Sequence, residues 1–208
     1  MKIVWVDVET TGVNPETDSI IELAALYEDT SLNYAEHGDK AKALFHKYCK
    51  PDVKPESWDQ PLKGRKETIS DLTGITWEKL EAEGVSDKEL HTGLNNFLLE
   101  RIVPFDKNDK AIFAAYNAKF DNQMIRALWK RNDDNYFGSY FISATLDVLS
   151  TVALAIAKNA MPPLIRHSLD VVCDHLDIPV KSHSAKDDII ATRKVQLELE
   201  KLLGINKG

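Results

Sequence analysis

The sequence predicts an α/β fold, a mixed sheet with helices packed on it, occupying residues 1–208 as a single domain. Three observations carry this expectation. The chain opens on a strand-like run at residues 3–8 (IVWVDV), apolar, β-branched and aromatic. Two further strand-like runs follow through turns before any long helical pattern, which is the order of hairpins. From residue 111 onward strand-like and helical runs alternate. Hairpins first and alternation later argue for a mixed sheet rather than a fully parallel one.

Each element has its own signal. Residues 13–19 (VNPETDS) form a turn rich in Pro, Asn and Asp. Residues 20–27 (IIELAALY) read as a second buried strand with one acid, Glu22, set into it. Residues 28–42 are polar and mixed in charge, a loop between hairpin strands. Residues 43–49 (ALFHKYC) alternate as a third strand that ends before Pro51. The stretch 28–76 reads as a polar and basic insertion; lysines 40, 42, 47, 50, 54, 63 and 66 with Arg65 make it the densest basic region, a solvated rim or a phosphate-steering flank. Residues 71–77 (DLTGITW) turn into a short helix. Ser86 with Glu89 three residues later forms a capping box for a helix running to about residue 102, before Pro104.

Residues 111–116 (AIFAAY) are a short central strand, and Asn117 opens a helix through about residue 130 with Phe120, Met124, Ala127 and Leu128 on its inner face. Residues 137–142 are aromatic and extended, residues 146–157 helical, and Pro162-Pro163 breaks the chain. Ser168 caps a short helix to Leu176. A last helix covers residues 187–203, prepared by the loop Ser182-His183-Ser184.

Composition narrows the class. The 43% apolar fraction is ordinary for a globular protein. The net charge of −7, from 26 basic and 33 acidic residues, argues against a protein that coats duplex DNA by bulk charge. It leaves room for acids gathered around metal ions, because bound cations invert the local field. Cys49 and Cys173 are far apart and outside any CxxC pair, so two free thiols in a reducing cytosol are expected, with no zinc site. The opening strand has no basic-then-apolar leader and no apolar run approaches membrane length, so a cytoplasmic location without membrane attachment is expected.

Acidic residues recur at three stations. Asp7 and Glu9 stand two apart on the opening strand, so their side chains share one face roughly 6–7 Å apart along the backbone. Two acids at a buried strand end repel each other and lose water, so something positive must compensate them. Asp121 sits in the first turn of the helix that Asn117 opens, where the helix dipole favours an acid. Asp188 lies in the last helix on one face with Ala185, Ala191 or Thr192 and Val195, and those small residues let the helix lie close to a sheet. Asp187, one step round, faces elsewhere. His183, just before that helix, has the ordinary imidazole pKa near 6.5 that suits a group taking a proton from water. Four carboxylates from three places, with hard oxygen donors and no Cys or His cluster, favour two magnesium or manganese ions over zinc or copper. Two such ions roughly 3.5–4 Å apart activate water and steady a leaving oxygen at phosphorus.

DVETTG (residues 7–12), NAKFD (117–121) and HSAKDD (183–188) resemble, in order, the three motifs of the DEDDh 3′→5′ exonucleases, the family related to bacterial proofreading subunits and ribonuclease T. His183, Ala185 and Asp188 match its His-x-Ala-x-x-Asp form, and Thr192 also fits. Weaker echoes are SIIELAAL for the family's second strand, DLTGIT for its Gly-Ile-Thr turn and TLDVL for the helix start after the second motif. Two departures stand out: Tyr116 where many members carry His, and a longer stretch between the first two motifs.

The resemblance implies a ribonuclease H-like fold, a mixed five-stranded sheet flanked by helices with the acids at one end. It implies Asp7, Glu9, Asp121 and Asp188 as metal ligands for two Mg²⁺ or Mn²⁺, and His183 as general base. Thr10, Thr11, Asn117 and Phe120 would border the terminal nucleotide. The implied reaction is removal of nucleoside 5′-monophosphates from the 3′ end of a single strand. DVETTG is closer to the proofreading branch than to the DMEMTG-type oligoribonucleases, which favours DNA over an RNA-trimming activity. A non-catalytic subunit of a polymerase or repair complex is the remaining alternative, and oligomeric state stays open. Gln196-Leu197-Glu198-Leu199 faintly resembles a sliding-clamp peptide, but core packing accounts for its leucines.

Overall fold

A computed structural model describes residues 1–62, 64–180 and 184–205 of the chain. Lys63, Ser182 and His183, all singled out above, lie outside the described residues.

The sheet is built around β1 (Lys2–Thr10). β2 (Ile20–Asp29) returns antiparallel to it, and β3 (Lys42–Tyr48) pairs antiparallel with β2 as an edge. On the other side β4 (Ala111–Ala115) runs parallel to β1, and β5 (Phe141–Asp147) runs parallel to β4. The order is β3-β2-β1-β4-β5, the mixed five-stranded sheet expected. The helices are α1 (Tyr34–His37), α2 (Ile69–Thr73), α3 (Trp77–Glu83), α4 (Asp87–Leu99), α5 (Ala118–Arg131), α6 (Val148–Ala157), α7 (Leu169–His175) and α8 (Ala185–Leu202).

The period-two alternation of strand side chains divides the core in two. Val4, Val6 and Val8 of β1, Leu23 and Tyr27 of β2 and Phe113 of β4 pack under Leu90 and Leu94 of α4 and Met124 and Leu128 of α5. At roughly 1.5–3 kcal/mol for each large apolar side chain fully buried, this face anchors the sheet. Trp5, Ala24, Leu26 and Ala114 face the other way, against Val152 of α6, Cys173 of α7 and Ala185, Ile189 and Val195 of α8. Both cysteines are buried and free. Within the stretch 28–76, Trp58 and Ile69 build a third, smaller core with Ile21, Ile75 and Leu80, and Trp58 meets Trp77 edge-on at 5.2 Å.

Several boundaries differ from the expectation. The helix expected at 71–77 is two helices, because Gly74 adopts φ 67° and ends α2 while Thr76 caps α3 through Lys79 N–H. Residues 137–139 form a 3₁₀ turn, and β5 starts at Phe141. Thr145, Leu146 and Asp147 pair with β4, so the helix expected from 146 begins at Val148. α8 begins two residues earlier than expected and places Asp187 and Asp188 in its first turn. The capping box of Ser86 and Glu89 forms as read. Some of the basic stretch is neutralised locally: Lys54 pairs with Asp59 at 2.8 Å, and Lys50 lies 3.7 Å from Glu81. No helix among the described residues is long and apolar enough to cross a membrane.

Candidate active site

The same alternation that sends Val6 and Val8 into the α4–α5 core sends Asp7 and Glu9 to the α8 face. α8 can lie close there because Ala185 and Ala191 are buried against the sheet with no bulk to hold it off. Its first turn then brings Asp188 over the strand. Asp7, Glu9 and Asp188 each offer a carboxylate oxygen, and these three oxygens lie within 4.8 Å of one another. Among the described residues this is the group that could hold a metal ion.

Burial and mutual repulsion both act on these acids. Burial pushes the Asp7 carboxyl well above the ordinary range, with Asp121, Glu9, Asp188 and Glu22 adding repulsion. Burial raises Glu9 to about 8, helped by Asp188, Glu22 and Asp121. Asp188 is raised to about 6, by burial first and then by Asp187, Glu22 and Asp170. Carboxylates that crowd and lose water either take up protons or gather a cation. The all-oxygen donor set fits a hard divalent ion such as Mg²⁺ or Mn²⁺.

Asp121 is beside this trio rather than in it. It is 3% exposed, and its Oδ1 accepts a hydrogen bond from the Val8 N–H at 3.2 Å, tying the start of α5 to β1 between the other two acids. Burial raises its carboxyl to about 8 against that bond. Asn117, just before α5, takes the left-handed conformation (φ 65°, ψ 54°) that Asn tolerates better than most residues, and its side chain makes no cap bond. The cap comes from Asp147 at the end of β5. Its Oδ1 accepts from the N–H groups of Asn117 at 3.0 Å and Ala118 at 3.3 Å. TLDVL was legible as a motif, but this role depends on β5 lying beside β4.

Thr10, Thr11 and Phe120 line a cavity of about 560 Å³ that also includes Glu9, Arg65 and Leu72 in its wall. The turn beneath is tightly closed. Thr10 Oγ1 donates to the Gly12 carbonyl at 2.6 Å, Thr11 Oγ1 accepts from the Ser19 N–H, and Asn14 N–H donates to Asp18. A Cβ on Gly12 would stand 2.4 Å from an Asp18 oxygen, so a side chain here would push that carboxylate away from its bond with the Asn14 N–H. A second cavity of about 490 Å³ lies beside Asp188 and is lined by Arg65, Arg166, Ser168 and Asp170. Arg65 therefore borders both cavities, the one that holds Glu9 and the one that holds Asp188. In the sequence Arg65 stands only within a basic stretch, and no motif marks Arg166.

Residues 4–196 match the family model described as exonuclease (RNase_T). A PolC-type DNA polymerase III of Oceanobacillus iheyensis is 31% identical over 180 residues, 85% of this chain and 10% of the polymerase. An oligoribonuclease of Neisseria meningitidis serogroup B is 27% identical over 89% of this chain and 83% of its own length. The chain thus spans about a tenth of the polymerase it matches. Escherichia coli exonuclease I, solved in complex with a dT13 oligonucleotide, superposes with a TM-score of 0.71 at 20% identity, over 98% of this chain and 42% of its own. At that identity the likeness establishes the fold, which is ribonuclease H-like. With the family model covering nearly its whole length, the chain belongs to the exonuclease family.

Proposed function

We propose that the chain is a 3′→5′ exonuclease that hydrolyses the terminal phosphodiester of a single strand, DNA in preference to RNA, and releases nucleoside 5′-monophosphates. The observation that carries this reading is the cluster of Asp7, Glu9 and Asp188, of which Glu9 also lines the cavity of about 560 Å³. Asp7, Glu9, Asp188 and Asp121 would hold two Mg²⁺ or Mn²⁺ ions. When bound, these supply Lewis-acid activation of water and offset charge at phosphorus. The protein's own residues do the rest. The cavity seats the last nucleotide, with Phe120 against its base and Thr10, Thr11 and Asn117 at its border. Arg65, which lines both cavities, meets the backbone phosphate where the strand passes the acids. His183 takes the proton of the attacking water, the new P–O bond forms in line, and the 3′-oxygen leaves with the shortened strand.

The preference for DNA is supported by the PolC-type relative, which also favours work alongside a polymerase. The oligoribonuclease relative supports RNA trimming as the second reading. Matched 5′- and 3′-labelled DNA and RNA oligomers, incubated with Mg²⁺, Mn²⁺ or chelator, test both. A metal-dependent ladder shortening from the 3′ end is expected, faster on DNA. Asp7→Asn is expected to lower the rate about 10³-fold, since a divalent ion contributes several kcal/mol to the transition state. Full activity in chelator, or in Asp7→Asn, would overturn the reading; a faster ladder on RNA would reverse the substrate.

A further inference from the structure

Glu22 is a carboxylate in an unfavourable place. It is 1% exposed on β2, with its Cα opposite that of Glu9, and its charge acts on Asp7, Glu9 and Asp188 alike. A fourth acid on this face raises the repulsion, so its presence there does not serve stability. Its bonding is specific. Oε1 accepts from His46 Nε2 at 2.7 Å, from the neighbouring edge strand β3, and from Ser184 Oγ at 3.4 Å. Oε2 is buried and has no hydrogen-bond partner among the described residues.

Ser184 is the N-cap residue of α8, in the extended conformation that caps adopt (φ −139°, ψ 119°), yet its hydroxyl makes no cap bond to the helix. The usual use of an N-cap hydroxyl is to satisfy a free N–H of the first turn. Here the hydroxyl is directed across the sheet to Glu22, while the Ser184 carbonyl accepts from the N–H groups of Asp187 and Asp188, each at 2.9 Å. A continuous chain of bonds therefore runs from His46 through Glu22 and Ser184 to the backbone of Asp188.

We infer that Glu22, held by His46 and Ser184, is a positioning residue that fixes the first turn of α8 to β2 and so sets where Asp188 stands relative to Asp7 and Glu9. The inference rests on the metal-dependent reading above. Partners that orient a metal ligand typically govern metal affinity by 10–100-fold, so the effect should appear in binding of the ion itself.

The test is titration of the substrate-free protein with Mn²⁺, followed by electron paramagnetic resonance, on chains whose circular dichroism and melting show them folded. Ser184→Ala and His46→Ala are each expected to weaken Mn²⁺ about 10-fold. Ser184→Thr and His46→Gln, which keep a donor, are expected to return affinity to within about twofold of wild type. The double alanine variant should weaken binding by less than the product of the single effects, because both bonds act on one carboxylate. Wild-type affinity in Ser184→Ala and in the isosteric Glu22→Gln would overturn the inference and leave the exonuclease reading standing. Absence of Mn²⁺ binding in the wild type would overturn both.

Discussion

On β2, Leu23 and Glu22 are adjacent and equally buried, at 0% and 1% exposure. Leu23 points into the core beneath α4 and α5, and Glu22 to the face beneath α8 with Asp7 and Glu9. β1 repeats the contrast, with Val6 and Val8 on one side and Asp7 and Glu9 on the other. Both faces gain free energy from the apolar side chains they bury, but the α8 face also holds acids that burial and mutual repulsion keep above their ordinary pKa. The lesson is that the apolar face carries the strain of the charged one. The site can be unfavourable because the strand that bears it is anchored from behind.

That contrast can be broken from either side. The largest stability effect is expected on the anchoring face. Leu23→Ala, which opens a cavity in a close-packed core, should cost about 2–5 kcal/mol in denaturant unfolding, with metal affinity per folded molecule little changed. A smaller effect belongs to the turn between β4 and α5. Asn117→Ala forces an ordinary residue into the left-handed region and should cost about 1 kcal/mol, while Asn117→Gly should be near neutral. Should Asn117→Ala unfold at the same denaturant concentration as wild type, the strained turn would not be a stability determinant.

Much of the apolar face and half of the charged face were legible in the chain. The spacing of Asp7 and Glu9 on a strand put them on one face, and Ala185, Asp188 and Ala191 at helical spacing put that acid toward a sheet, as the structure has them. These are local periodicities, readable without knowing the partner. What was not legible is long-range. The bond between Ser184 and Glu22 spans 162 residues and depends on strand register, which one sequence does not specify. Asp147 as the cap of α5 needs β5 beside β4, and the read helix start at 146 missed it because Thr145 and Leu146 belong to the strand pairing. The division of 71–77 into two helices turned on Gly74 being left-handed, a backbone choice that DLTGIT does not announce. His183, the proposed base, lies outside the described residues.

We propose that divalent ions relieve the electrostatic strain of the α8 face. Its sign with pH follows from the raised carboxyls. Unfolded Asp and Glu titrate near 4, while Asp188 titrates at about 6 and Glu9 and Asp121 at about 8 in the fold. The folded state thus binds more protons between these limits, and the stability these groups contribute is full below about pH 4 and is lost as pH rises through 6 to 8. The most direct measurement is calorimetric melting of wild type and Asp7→Asn, in chelator and in Mg²⁺, from pH 5 to 8.5. In chelator the wild-type melting temperature should fall as pH rises, and Asp7→Asn should melt above it at pH 8. Mg²⁺ should raise the wild type and move the variant little, reversing their order. An Asp7→Asn variant that melts below wild type in chelator at pH 8, or a wild type that Mg²⁺ fails to stabilise, would show that these acids are neither strained nor relieved by a divalent ion.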